Sequence, residues 1–341
     1  MILIKDLKSL NEIEINELIT GIGIPKFRAK QIFGWLCKGV DSFDEMSNVP
    51  KAVLEKIAED YYISYVTVER KFVSQIDGTV KYLFRLCDDE FIESVVMKYK
   101  HGYSICVSTQ VGCRMGCRFC ASTIEGKKRD LTAGEILSQI FTAQKDLNIR
   151  ISNIVLMGMG EPLDNYDNTL KFLELVSGES GLNIGMRHIS LSTCGVVDKI
   201  KKLEQLKLQL TLSISLHAPN DEIRDMIMPI NKKWRVNELI EACKSYINTT
   251  GRRISFEYAM IKDVNDSDDC AKQLIKLLSG MICHVNLIPA NQVHKDKFER
   301  PDTKRVYEFE KILNSGGINA TVRRTLGADI NASCGQLKGK K

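Results

Sequence analysis

Apolar residues in the first sixty positions recur at helical spacing. Ile13, Ile15, Leu18 and Ile19 form one stripe, "TGIGIPKF" interrupts it, and "RAKQIFGWLCKG" begins a second amphipathic stretch. The pattern predicts a small helical module over residues 1–60. Gly21, Gly23 and Pro25 predict a tight turn ahead of Lys26, Arg28 and Lys30. Those cations either seat a phosphate near a helix N-terminus or form an ordinary solvated basic face. From Tyr61 to Lys98 the period changes to two: "YVTVERKFV", "VKYLFRL" and "FIESVVMKY" are separated by the hairpin signals Asp77-Gly78 and Asp88-Asp89. A small antiparallel β segment is expected over residues 61–98.

Beyond Gly102 the runs "YSICVST", "SNIVLMG", "HISLSTC", "LTLSISLH", "RISFEYAMI" and "HVNLIPA" have strand length, with helical patterns such as "AGEILSQIFTAQ" and "NELIEACKSYI" between them. Six βα units predict an α/β fold with a parallel sheet, a partial (βα)6 barrel over residues 99–325, followed by a tail over 326–341. In such folds chemistry gathers at the C-terminal ends of the strands. Those ends are polar here: the cysteine loop, "MGMGEP", "STCG", "SLHAPN" and "IPANQ". One wet pocket is implied.

Composition narrows the class. A chain of 341 residues with 44% hydrophobic content supports one large domain and a smaller one. No apolar run approaches the roughly 18 residues that span a bilayer, and "MILIKDLKSLNEIEIN" has no signal-peptide core. A cytoplasmic protein without membrane association is expected. Eleven cysteines in such a chain point to metal binding or catalysis rather than a disulfide framework. The net charge of +5 has the sign a phosphate backbone requires, yet is too small to identify a nucleic-acid partner by itself.

"VGCRMGCRFCAS" places Cys113, Cys117 and Cys120 in a C-x3-C-x2-C run. A tetrahedral zinc site would recruit a fourth ligand from elsewhere in the chain. A 4Fe-4S cluster held by three thiolates leaves one iron open to an exogenous ligand. With its position after the first barrel strand, this run resembles the radical S-adenosylmethionine superfamily over residues 100–325. The resemblance implies a 4Fe-4S cluster whose open iron binds the amino and carboxylate groups of S-adenosylmethionine and delivers the electron that yields a 5′-deoxyadenosyl radical. "MGMGEP" resembles the superfamily's Gly-Glu element, so Gly160 and Glu161 would meet the methionine ammonium. By the same resemblance Ser192, Ser215, Leu216, His217 and Asn291 line the nucleoside and carboxylate. On the residues alone, each serine reads more readily as a strand-end cap or loop hydrogen-bonder than as a ligand, and His217 reads equally as a satisfied structural histidine.

The chain ends in "RRTLGADINASCGQLKGKK", with a lone Cys334 in a Gly-containing, flexible-looking tail. Together with "VSTQVGCRMGCRFCAS", "KKRDLTAGEI", "MGMGEPLDN", "SISLHAPN" and "VNLIPAN", this resembles the RlmN/Cfr family of radical S-adenosylmethionine RNA adenine methyltransferases over almost the whole length. Pro162 and the wording "CASTIEGKKRDLTAGEI" are similar to the RlmN branch. The resemblance implies methylation of adenine C2 in 23S ribosomal RNA and of adenine 37 in certain transfer RNAs, with two S-adenosylmethionine molecules per turnover. The Cfr branch would instead methylate C8 of the same ribosomal adenine.

C2 is an electron-poor aromatic carbon without a lone pair, so it cannot displace a methyl group from a sulfonium, and a radical route is needed. The roles the resemblance implies are these. Cys334 takes a methyl from one S-adenosylmethionine by polar substitution, and the radical derived from a second removes hydrogen from the S-methyl. The methylene radical adds to C2. Glu93 then strips the C2 proton while Cys106 attacks sulfur to release RNA, leaving a disulfide between Cys106 and Cys334. Period two puts Ser104, Cys106 and Ser108 on one strand face. Without the resemblance, Cys106 reads as a core cysteine and Glu93 as a surface carboxylate. Cys37, Cys87, Cys194, Cys243, Cys270 and Cys283 are assigned to packing.

RNA binding is expected to be electrostatic and shape-driven, with the target base extruded into the pocket. Candidate phosphate contacts are "GKKRD" at 126–130, "NKKWR" at 231–235, "GRR" at 251–253, Arg323, Arg324 and the final "KGKK". Trp234 either stacks on a base or anchors packing. Expected partners are 23S rRNA, tRNA and an electron donor such as flavodoxin or ferredoxin, acting on a monomer.

Overall fold

The computed structural model describes residues 5–291 and 298–339. At the N-terminus, strand β1 (Lys5–Asp6) leads into α1 (Glu12–Gly21), α2 (Phe27–Leu36) and α3 (Lys51–Ala58), and β2 (Tyr61–Tyr62) pairs with β1 in parallel. Asn11 starts α1 by accepting the Glu14 N–H, and the Glu14 carboxylate accepts the Asn11 N–H in return. Ile15, Ile19, Ile32, Leu36 and Ile57 close a small core separate from the main one. Lys26 heads α2 without a side-chain cap, and Arg28 is committed to Gln31 and the Asn48 carbonyl at 2.7 and 3.0 Å.

The antiparallel strands do not make a separate sheet. Strands β3 (Thr67–Val73), β4 (Val80–Arg85), β5 (Phe91–Tyr99) and β6 (Gly102–Cys106) pair antiparallel in sequence. A short hairpin of β7 (Gln110–Gly112) and β8 (Lys127–Asp130) then brackets the cysteine loop. Next, β9 (Ile151–Leu156) pairs with β6 in parallel, followed by β10 (Ile189–Thr193), β11 (Thr211–Ser215), β12 (Ile254–Met260), β13 (Cys283–Pro289) and β14 (Ala320–Val322). The result is one ten-stranded sheet in the order β14-β13-β12-β11-β10-β9-β6-β5-β4-β3. Its parallel part holds one strand more than the six runs read from the sequence, because β14 is only three residues long.

Helices α4 (Ala133–Leu147), α5 (Tyr166–Ser177), α6 (Val197–Gln205), α7 (Asp221–Ile227), α8 (Val236–Thr250), α9 (Asp268–Leu278) and α10 (Thr303–Ser315) follow the strands in turn. Ile136, Ile140 and Ala143 give α4 its buried stripe, and a Thr132–Glu135 capping box fixes its start.

Register decides which side chains the sheet turns toward the pocket. Lys81 pairs with Val95, and Val95 with Cys106. Period two therefore puts Lys81, Glu93, Val95 and Cys106 on one face. Tyr82 and Ser94 take the other face, where they bond Asp146 and Gln139 of α4 at 2.5 and 2.6 Å. The tail lies on the first face, docked rather than loose. Asp329 accepts from Ser74 Oγ at 2.7 Å and the Gln75 N–H at 2.9 Å, Asp77 accepts the Gly327 N–H at 2.9 Å, and Ser122 Oγ donates to the Leu337 carbonyl at 2.8 Å.

Candidate active site

The cysteine loop is held at both ends. Gly112 has φ +73°, and a Cβ there would run into the Gly126 carbonyl, so the loop can close only with glycine. The Cys113 N–H donates to that same carbonyl at 3.0 Å, and the Arg118 N–H to Ile227 O at 3.0 Å. The Ala121 N–H donates to Gly335 O at 2.7 Å, which brings the residue after Cys334 against the residue after Cys120.

A cavity opens at the C-terminal ends of the parallel strands. Cys113, Cys117, Cys120, Gly160, Glu161, Ser192, Ser215, His217, Asn291 and Cys334 all line it. Leu216 does not. Its side chain is wholly buried in the core, and its N–H donates to Glu257 O at 3.1 Å. Cys106 and Glu93 lie outside the lining but near it, at 8% and 5% exposure. Glu93 is therefore not a surface carboxylate. Its Oε1 is 3.4 Å from Lys81 Nζ, and its Oε2 accepts the Lys338 N–H at 2.6 Å.

Glu161 is buried, and both its oxygens accept main-chain N–H groups, from Leu163 at 3.0 Å and Cys194 at 2.7 Å. Burial still pushes its pKa upward against those bonds. Gly160 has φ +102°, and a Cβ there would lie 2.6 Å from that of Gln110, whose amide oxygen accepts the Glu161 N–H at 2.9 Å. The missing side chain lets this turn close onto β7. His217 has φ +57°, and its Nδ1 accepts the Ala259 N–H at 2.8 Å. Burial, with the Arg224 charge adding to it, pushes its pKa down to about 3, so the ring is neutral and carries its proton on Nε2. The Asn291 amide donates to the Cys334 carbonyl at 3.1 Å.

Residues that sequence reasoning missed also shape the site. Arg224 is completely buried, donating to Cys194 O at 2.7 Å, Leu216 O at 3.1 Å and Asn231 Oδ1 at 3.1 Å, so it ties the ends of β10 and β11 together. On helix α7 it reads like any surface cation. Glu257 lines the cavity from β12, with Asn286 Nδ2 at 2.9 Å. Its acidic side chain in an otherwise apolar strand was a signal available at period two. Arg323, taken from the sequence for a phosphate contact, points into the cavity, 3.8 Å from Glu257. Cys334 first, then Glu257, act to raise the pKa of its guanidinium.

The basic stretch at 126–130 is mostly paired internally. Lys127 meets Asp130 and Asp164, Lys128 meets Glu90, and Arg129 meets Asp88 and Glu135. Lys340 and Lys341 of the final basic run, and Gln292, lie outside the described residues. Lys232, Lys233 and Trp234 instead line a second groove with Lys199 and Arg114, and Met115 is common to that groove and the cavity. Lys233 sits 4.1 Å over the Trp234 ring.

The donor set suits an iron–sulfur cluster. All eleven cysteines are free thiols. Burial pushes the Cys113 thiol up to about 12 and raises Cys117 and Cys120 as well, so only a bound metal would draw off their protons. Among the described residues no three His, Cys, Asp or Glu side chains gather closely enough for a single ion. A cluster in which each thiolate takes a different iron does not require that they do.

The radical SAM superfamily matches residues 107–274, and the ribosomal RNA large subunit methyltransferase N-terminal domain matches residues 5–63. The probable dual-specificity RNA methyltransferase RlmN of Alkaliphilus oremlandii is 56% identical over 335 residues, 98% of each chain. The chain belongs to the RlmN family of radical SAM RNA methyltransferases. A Clostridium novyi RlmN relative is 58% identical over 314 residues, 92% of each chain. The crystal structure of a radical SAM methyltransferase from Sphaerobacter thermophilus superposes with a TM-score of 0.93 at 42% identity, covering 98% of this chain and all of that one. This RlmN family member therefore has the α/β radical SAM fold, and its superfamily's cofactors are a 4Fe-4S cluster and S-adenosylmethionine. No helix among its described residues is long and apolar enough to cross a membrane.

Proposed function

We propose that the enzyme methylates C2 of an adenine in 23S rRNA and of adenine 37 in certain tRNAs, through a methyl carried on Cys334. The observation that carries this reading is that Cys334 lines the same cavity as Cys113, Cys117 and Cys120. A methyl-accepting thiol and three cluster ligands have no reason to share a pocket unless one reaction uses both.

When bound, the cluster and S-adenosylmethionine supply a 5′-deoxyadenosyl radical. The remaining work falls to the chain. Cys113, Cys117 and Cys120 hold the cluster, while Gly160, Glu161, Ser192, Ser215, His217 and Asn291 orient S-adenosylmethionine, with Leu216 shaping the wall from behind. Cys334 accepts the methyl and bonds to C2. Glu93 takes the C2 proton, and Cys106 attacks the Cys334 sulfur, breaking its bond to the methylene carbon, which takes a proton and leaves as the methyl group on C2; the Cys106–Cys334 disulfide so formed is reduced by an external thiol before the next turnover. Burial, with the nearby Cys334 charge adding to it, pushes the Cys106 thiol up to about 12. Two S-adenosylmethionine molecules are used per turnover.

RNA enters along the groove of Lys199, Lys232, Lys233 and Trp234, which adjoins the cavity at Met115. Basic side chains there hold the backbone, and the extruded adenine passes over Met115. The enzyme works as a cytoplasmic monomer with a flavodoxin or ferredoxin as electron donor. Nucleoside analysis of RNA from an anaerobic reaction tests the assignment. 2-Methyladenosine is expected; 8-methyladenosine as the main product would assign Cfr-type chemistry, and no methylated adenosine from ribosomal or transfer RNA would refute it.

A further inference from the structure

Glu93 and the chain around Cys334 meet at one side chain. Lys81 is 8% exposed. Its ammonium lies 3.4 Å from Glu93 Oε1 and donates to the main-chain oxygen of Asn331 at 3.3 Å. Asn331 stands three residues ahead of Cys334, while Lys338, whose N–H donates to Glu93 Oε2 at 2.6 Å, stands four beyond it. The Cys334 segment is thus gripped from both sides through one ammonium–carboxylate pair. The same sheet face presents Cys106, in line with Lys81 across Val95. Stability does not account for such a pair, because desolvation of two buried charges consumes most of their attraction. Placement does.

We propose that Lys81 is a positioning residue for the transfer, holding the Cys334 main chain and the Glu93 carboxylate in fixed relation. The inference rests on the roles given above to Cys334 and Glu93. Without the ammonium, the tail loses its anchor at Asn331 and the carboxylate loses its partner across the strands. Thiol and base then no longer arrive together at C2.

The test uses Lys81→Met and Lys81→Arg in the full-length, anaerobically purified enzyme, with Lys81→Gln replacing Lys81→Met should that variant not fold. One readout needs no turnover: alkylation of Cys334 by N-ethylmaleimide, followed by peptide mass spectrometry, with Cys37 in the N-terminal module as internal reference. Cys334 should react roughly tenfold faster in Lys81→Met, the factor of one lost hydrogen bond to a charged group, and near the wild-type rate in Lys81→Arg. The other readout is RNA still bound covalently to protein on denaturing gels. Lys81→Met should keep cleaving S-adenosylmethionine while this adduct accumulates at an unchanged KM for RNA, and Lys81→Arg should restore release. Unchanged alkylation without adduct overturns the proposal. So does equal loss of turnover in both variants with unchanged alkylation, which would mark Lys81 as packing alone. Wild-type enzyme in which Cys334 is never methylated would refute the role of Cys334, while the alkylation ratio would still decide the tether.

Discussion

His217 Nδ1 accepts the main-chain N–H of Ala259 at 2.8 Å, joining the loop after β11 to strand β12 at the wall of the cavity. The bond settles the tautomer. With Nδ1 used as acceptor, the neutral ring carries its hydrogen on Nε2. The left-handed backbone at φ +57° costs little for His or Asn and more for Ala.

A stability profile against pH follows. His217 is held near 3, below its ordinary 6.5, by burial first and the Arg224 charge second. The unfolded chain therefore binds this proton more readily, and the contribution of the neutral ring is complete above pH 6.5 and lost as pH falls toward 3. The slope is up to about 1.4 kcal/mol per pH unit. His217→Asn keeps an acceptor for Ala259 and removes the titration, so its urea midpoint should fall less than the wild type's between pH 6.5 and 4. Parallel midpoints in the two proteins would show that His217 is protonated in the fold.

The proposed cluster ligation separates Cys113, Cys117 and Cys120 from their neighbour Cys194. All four line the cavity, but Cys194 meets Glu161 through its main-chain N–H, which alanine keeps, and through its thiol, which alanine removes. Alanine at any of the three loop positions should abolish iron binding and S-adenosylmethionine cleavage after anaerobic reconstitution. Cys194→Ala should retain about four irons per chain. Iron analysis decides it: a loop variant that keeps its full iron, or a Cys194 variant that loses it, breaks the assignment.

The sequence was legible where periodicity or spacing carried the signal. Apolar and β-branched runs of strand length named β9 to β13, because a parallel strand is covered on both faces, and the C-x3-C-x2-C spacing named the loop that lines the cavity. It was silent where position depends on register. Nothing local says that Glu93 turns inward, since its burial follows from the pairing of Val95 with Cys106 and of Lys81 with Val95. The tail read as flexible because its anchors, Ser74, Asp77 and Glu93, lie about 250 residues earlier in the chain. Charge runs misled at 126–130, where each cation has an acidic partner that only the β7–β8 hairpin and its neighbours bring close.

Gly160 gives a steric prediction. Alanine there meets two obstacles, φ +102° and a Cβ placed 2.6 Å from Gln110 Cβ and 2.8 Å from its main-chain nitrogen. Gly126 has φ +73° with nothing within 4 Å of the same added atom. Gly126→Ala should cost about 1 kcal/mol through the backbone alone. Gly160→Ala should cost more and displace Glu161, weakening S-adenosylmethionine binding at least tenfold by calorimetry. Equal losses of stability with unchanged affinity would mean that the turn relaxes and that Glu161 does not depend on it.

On the proposed roles, loss of Cys334 should fail at an earlier stage than loss of Cys106 or Glu93. Cys334→Ala removes the methyl acceptor, so S-adenosylmethionine still binds at Glu161 and its neighbours, but neither protein nor RNA gains a methyl. Cys106→Ala leaves Cys334 free to be methylated and to bond to C2, yet no second thiol is placed to displace it, and RNA should stay attached to the protein through Cys334. Glu93→Ala should stall at a similar stage, because the proton at C2 has lost its acceptor. Denaturing electrophoresis with labelled RNA, then mass spectrometry of the linked peptide, separates Cys334→Ala, which forms no adduct, from the other two, which do. Cys106 is buried on the face it shares with Glu93. Free methylated RNA from Cys106→Ala at the wild-type rate would leave Cys106 as a core cysteine, with another thiol resolving the intermediate.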